Sequence, residues 1–158
     1  MSKLEGVRFI PYHLSSKGKL GETASKIFAS LIAIDEANGT DLLSDESKFK
    51  KAKFAIYKAR HDKNDDFDNG KDKARFIKLA LDTAGVSQDE YEKSQDEYEK
   101  SLASARAQEL LNAWFDSYDV AIISGVPAFV VSGKYLINLD SATSIDKMAE
   151  IAKELLAK

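Results

Sequence analysis

Gly125-Val126-Pro127-Ala128-Phe129-Val130-Val131-Ser132-Gly133-Lys134-Tyr135-Leu136-Ile137-Asn138 is the stretch whose reading decides the fold. Two β-prone runs flank Ser132-Gly133, and glycine accepts positive φ without steric cost, so the segment predicts a hairpin closed by a two-residue turn. Pro127 cannot donate to a ladder. It therefore belongs at the start or edge of the first strand, and Val126-Pro127 is a candidate cis peptide. Downstream, Thr143 or Ser144 caps a last helix in which Ile145, Met148, Ile151, Ala152 and Leu155 share a face.

Working outward, Val7-Arg8-Phe9-Ile10 alternates weakly and predicts a strand that Pro11 interrupts. Between that strand and the hairpin the pattern is helical. Ala24, Ile27, Phe28, Leu31 and Ile32 recur at the spacing of one helix face, with Asn38-Gly39 as the stop. A second helix over about 47–61 has Phe49, Ala52, Phe54, Ile56 and Tyr57 as its apolar content. It also carries Lys48, Lys50, Lys51, Lys53, Lys58 and Arg60 with no acid among them. At about 100° per residue these cations spread around the helix instead of forming a phosphate-binding stripe, so nucleic acid is not expected as a partner. A third helix over about 72–84 sets Phe76, Ile77, Ala80, Leu81 and Ala84 on one side and ends at Gly85. From Leu102 to about Tyr118 the expected buried set is Ala103, Ala107, Leu110, Leu111, Trp114 and Phe115, and Val120 to Ile123 connects to the hairpin.

Two local motifs stand out. Asp62 to Gly70 has the oxygen-rich alternation of a calcium-binding loop. Counted from Asp62, however, Phe67 stands where the turn needs glycine and Lys73 where a bidentate glutamate is needed, so a solvated turn is expected. Ser87-Gln88-Asp89-Glu90-Tyr91-Glu92-Lys93 is followed by an identical copy at residues 94–100, and Ser87 with Glu90 forms a capping box. Seven residues fall only about 20° short of two helical turns, so the duplication predicts one helix lengthened by roughly 10 Å with its facing preserved.

Composition bounds the chemistry. The chain has 158 residues, 44% of them hydrophobic, enough for one compact domain or one domain carrying an insertion. No run approaches the roughly 18 apolar residues of a membrane span. Met1-Ser2-Lys3-Leu4-Glu5 opens on charge and shows no signal-peptide pattern. A net charge of −3 gives no global attraction to nucleic acid or anionic lipid. His13 and His61 are the only histidines and have neither ligand spacing nor a cysteine partner, so no metal or cofactor is expected.

The hairpin, together with Gly6 to Leu14, Phe49 to Phe54, Gly70-Lys71-Asp72 and Ser117 to Val120, resembles the DsbA family of the thioredoxin superfamily, and within it the DsbL branch. The resemblance runs over nearly the whole chain. It implies an α/β, thioredoxin-like fold with a helical insertion: residues 1–16 with 118–158 form an incomplete sheet half, and residues 17–117 form the insertion. It also implies a periplasmic protein that introduces disulfides through a Cys-x-x-Cys pair, yet the chain contains no cysteine. On this reading the central strand and catalytic helix are missing. The inner strands then pair with each other, another chain donates a strand, or the sheet half is disordered.

The resemblance assigns Gly125, Val126 and Pro127 to peptide binding and leaves no catalytic residue. The partners it implies are an extended or unfolded substrate polypeptide, bound weakly, and a strand-donating second chain or a homo-oligomer. A membrane redox partner of the DsbB type is implied only for a full-length parent. Three readings of function stay open: a redox-inactive homologue, a piece of a split oxidoreductase restored by a separate Cys-x-x-Cys fragment, and a structural domain-swapped oligomer.

Overall fold

A computed structural model of the chain describes residues 4, 6–16, 18–85, 105–116 and 118–158. The duplicated heptads, Leu102 and Ala103 lie outside the described residues. The chain divides into two compact units, Pro11–Asp116 and Met1–Ile10 with Ser117–Lys158. The first join thus falls six residues before the 16/17 boundary expected above, because residues from Pro11 onward are fastened to the helices, as described below.

The helical unit contains α1 (Gly21–Ala37), α2 (Lys48–His61), α3 (Lys73–Thr83) and α4 (Ala105–Asp116). α1 packs on α2, α3 and α4, and α2 also packs on α3. Every residue of the predicted α1 face is buried, from Ala24 to Ile32. Its start needs glycine, since a Cβ on Gly21 would lie 2.4 Å from the backbone oxygen of Ser15. Ser47 and Asp72 cap α2 and α3 by accepting from Lys50 N–H and Arg75 N–H, each at 3.0 Å.

Several apolar side chains lie outside the core, and of these Phe115 was expected inside. α2 buries Phe49, Ala52 and Ala59, leaving Phe54 and Tyr57 about half exposed, because they point to the opposite side of the cylinder. α4 buries Ala107, Leu110 and Trp114, a spacing of three and four residues, and Phe115, one position on, is exposed. The Asp62–Gly70 segment folds around an aromatic ring. Phe67 is 2% exposed and meets Phe76 edge-on at 5.1 Å. Asp65 pairs with Arg75 at 2.9 Å, and Asp66 and Asp72 accept from backbone N–H groups.

The second unit contains α5 (Tyr118–Ser124), β1 (Val130–Val131), β2 (Tyr135–Leu136) and α6 (Ile145–Leu156). Val130 pairs with Leu136 and Val131 with Tyr135, antiparallel. The turn is closed by Lys134 N–H to Val131 C=O at 3.0 Å, with Ser132 and Gly133 at φ 54° and 67°. Lys134 is therefore an extra residue, and the loop has three residues, not the two expected, because register is set by the inward pair Val131 and Tyr135. Val131 and Ile137 bury against Ala152 of α6, with Phe129, Tyr135, Ile151, Leu155 and Leu4 around them. Ser144 supplies the α6 cap, accepting from Lys147 N–H at 3.0 Å. Ile145, expected on the buried face, is 72% exposed.

Two expectations for this unit fail. Residues 7–14 carry no regular secondary structure, and among the described residues β1 and β2 pair only with each other. The predicted first strand has no ladder partner there, so inner-strand closure is not the arrangement found. Residues 118–124, expected as part helix end and part connector, form the short helix α5.

Candidate functional site

α5 stops where Ser124 Oγ donates to Val120 C=O at 3.0 Å and Gly125 turns the chain with φ 71°. The next peptide, Val126-Pro127, is cis. The hairpin's hydrogen bonding begins only at Phe129, whose C=O accepts from Ile137 N–H at 2.9 Å. The three residues singled out from sequence thus form one exposed loop at the open end of the hairpin. Val126 is 65% exposed, and among the described residues no hydrogen bond reaches its backbone N–H or C=O. An apolar side chain beside an unpaired donor and acceptor can take one residue of an extended peptide by strand addition. The loop holds no nucleophile, acid or base.

β1 and β2 extend the same surface. Val130 and Leu136, directly paired, are 46% and 40% exposed, whereas Val131 and Ile137 are buried under α6. The hairpin is thus apolar on both faces but covered on one. Such two-faced strands are the pattern of a sheet interior with a layer on each side.

The histidines do not meet. His61 is exposed and stacks on Tyr57 at 4.3 Å. His13 is partly buried, shares a 2.7 Å hydrogen bond with Ser25 Oγ, and meets Phe28 edge-on. Among the described residues no group of three or more His, Cys, Asp or Glu could hold a metal ion.

Sequence reasoning missed one buried charge. Asp35, 1% exposed on α1, accepts from Ser47 Oγ at 2.8 Å and from the N–H groups of Lys48 and Phe49 at 3.0 Å each. With Ser47 Oγ serving Lys50, the first three donors of α2 are satisfied. The signal was an acid at position 35, one turn beyond Leu31 and Ile32 on the same apolar face.

No family model matches the chain. The thiol:disulfide interchange protein DsbL of Escherichia coli is 50% identical over 152 residues, 96% of this chain. DsbL of Lelliottia amnigena is 47% identical over the same length. The crystal structure of reduced DsbL superposes with a TM-score of 0.87 at 50% identity, covering 96% of this chain and 74% of that one. The chain belongs to the DsbL family.

A second DsbL crystal structure, from Salmonella enterica serovar Typhimurium, gives a TM-score of 0.86 and is covered to 73%. The thioredoxin-like fold of the DsbA type, mixed α/β, follows from these matches. The chain spans 65% of the length of the curated DsbL relatives, just under two thirds. At 50% identity to these thiol:disulfide interchange proteins it contains no cysteine.

Proposed function

We propose that this chain is a redox-inactive DsbL homologue that keeps a peptide-docking edge at Gly125, Val126 and Pro127. The observation that carries this reading is the absence of cysteine from a chain half identical to thiol:disulfide interchange proteins. Disulfide exchange proceeds by thiolate attack through a mixed disulfide, and no other side chain supplies that step. What remains is backbone pairing at Val126 with an extended or unfolded polypeptide. The binding is weak, since no covalent link holds the peptide. By family, the setting is the periplasm, and the parental role is introducing disulfides there. A membrane redox partner of the DsbB type belongs to a cysteine-bearing protein only.

Two measurements test it. The purified chain should give no catalysed oxidation of a dithiol peptide, and turnover above the uncatalysed rate would end the reading. An extended fluorescent peptide should show weak, saturable binding that is lost in Val126→Pro, which removes the N–H. Binding unchanged in a folded Val126→Pro protein would remove Val126 from the site.

A second reading is favoured by the uncovered apolar face of Val130 and Leu136: a separate fragment bearing a strand and a Cys-x-x-Cys helix covers it and restores oxidase activity. Mixing such a fragment with this chain should then yield dithiol oxidation, and failure at high concentration counts against complementation. Oligomers formed through the exposed hairpin edges are the remaining alternative, and a monomer at high concentration in sedimentation excludes them.

A further inference from the structure

Pro11 to Leu14 has no regular secondary structure, yet it is fastened to the helical unit at two points. Trp114 Nε1–H of α4 donates to Pro11 C=O at 2.8 Å. Two residues on, His13 Nδ1 and Ser25 Oγ of α1 share the 2.7 Å hydrogen bond. The imidazole lies edge-on to Phe28, with centroids 5.1 Å apart, and to Trp114 at 6.2 Å. Ser25, Phe28 and Trp114 are each at most 5% exposed.

This surround suits a neutral imidazole, and among the described residues it offers a charged one no carboxylate partner. Ser25 hydroxyl can meet Nδ1 with or without a proton by turning its own hydrogen, so that bond does not discriminate. Among the described side chains, the anions of these helices are engaged elsewhere. On α1, Glu22 and Lys26 pair with each other at 2.8 Å, and Asp35 is bound to the start of α2. On α4, Arg106 pairs with Glu36 and Glu109. On the strap itself Tyr12 is 57% exposed.

We propose that His13 is an acid-sensitive latch, whose protonation expels the ring from between α1 and α4 and frees Pro11 to Leu14 where the chain enters the helical unit. Burial alone supports the direction, lowering the imidazole to a pKa of about 4. With the freed ring near 6.5, the opening constant rises about 50-fold between pH 7 and pH 4.5. The latch does not depend on the redox reading, and its test does not involve activity.

Trp114 is the single tryptophan, so its indole N–H gives one NMR signal that reports the Pro11 hydrogen bond. In the full chain, exchange protection of that proton, corrected for intrinsic rate, should fall by about 50-fold from pH 7 to 4.5 while far-ultraviolet circular dichroism keeps its helical signal. His13→Gln, neutral throughout, should flatten the dependence. The same fall in His13→Gln, or loss of helix with the same midpoint, would overturn the latch. Should His13→Gln not fold, the imidazole of the unaltered chain decides: titration below pH 5 supports the latch and titration above pH 6 refutes it.

Discussion

Replacing Asp35 with alanine removes the acceptor of one hydroxyl and two backbone N–H groups at once, all at the junction of α1 and α2. The carboxylate is 1% exposed and Ser47 is fully buried, so water does not take over in the packed state. A buried donor left unsatisfied costs about 1–3 kcal/mol, and loss of a helix cap about 0.5–2 kcal/mol. Allowing the Ser47 hydroxyl to turn toward another acceptor, Asp35→Ala should destabilise the helical unit by about 3–5 kcal/mol. Asp35→Asn keeps one carbonyl oxygen and should lose roughly half as much. Ser47→Ala removes one donor to Asp35 and the acceptor for Lys50, for about 1–2 kcal/mol. Because the two side chains touch, the double variant should fall short of the sum by about 1 kcal/mol. Urea unfolding followed by Trp114 emission measures all four proteins. A loss below 1 kcal/mol in Asp35→Ala, or strict additivity with Ser47→Ala, would refute the account of α2 as a helix capped from α1.

Other outcomes follow from packing and charge. Gly21→Ala should cost about 1–3 kcal/mol, because the new methyl meets the backbone oxygen of Ser15 at 2.4 Å; thermal unfolding indistinguishable from the parent would contradict that approach. Phe49→Ala should cost about 3–5 kcal/mol and Phe54→Ala under about 0.5 kcal/mol, although both belong to the apolar content of α2; equal costs would mean that α2 is rotated. Asp65 and Asp72 are both held below the usual carboxylate range, Asp65 first by the Arg75 guanidinium and Asp72 first by the Arg75 backbone N–H. Depressed folded values mean that their stabilisation is present above the unfolded pKa, near 4, and is lost as pH falls through the folded value. In Arg75→Met the carboxyl NMR titration of Asp65 should therefore move up more than that of Asp72, and equal movement would reverse the assignment of causes.

Much of the helical unit was legible because its signals are local. A 3.6-residue period needs only neighbours in sequence, and a cap needs only a side-chain oxygen within four residues of the donor it serves; in the second unit Ser144 was a cap candidate on that ground, and Ser47 and Asp72, at the expected starts of α2 and α3, act the same way. The edges of the apolar faces were less legible: Phe115 and Ile145 have the right character but are exposed, and Phe54 lies on the far side of α2. At Gly125 to Pro127 the proline and its flanking pattern indicated a strand start and a candidate cis peptide, while the peptide-binding assignment came from the family resemblance. The exposure of this loop was not legible, because exposure depends on which elements reach it.

The order of residues alone indicated the periodicity of α1 to α4, a cap at Thr143 or Ser144, the hairpin and the lack of a cysteine, each from composition or spacing within a few residues, while the family came from a resemblance along nearly the whole chain. Tertiary structure decided what spacing cannot carry: that Asp35 serves the start of α2 from another helix, that His13 is enclosed by α1 and α4, and that the turn takes in Lys134. It also decided that Val130 and Leu136 are nearly half exposed while Val131 and Ile137 are buried. These depend on which distant surfaces meet, where desolvation and long-range hydrogen bonding choose among pairings that the local pattern leaves equal.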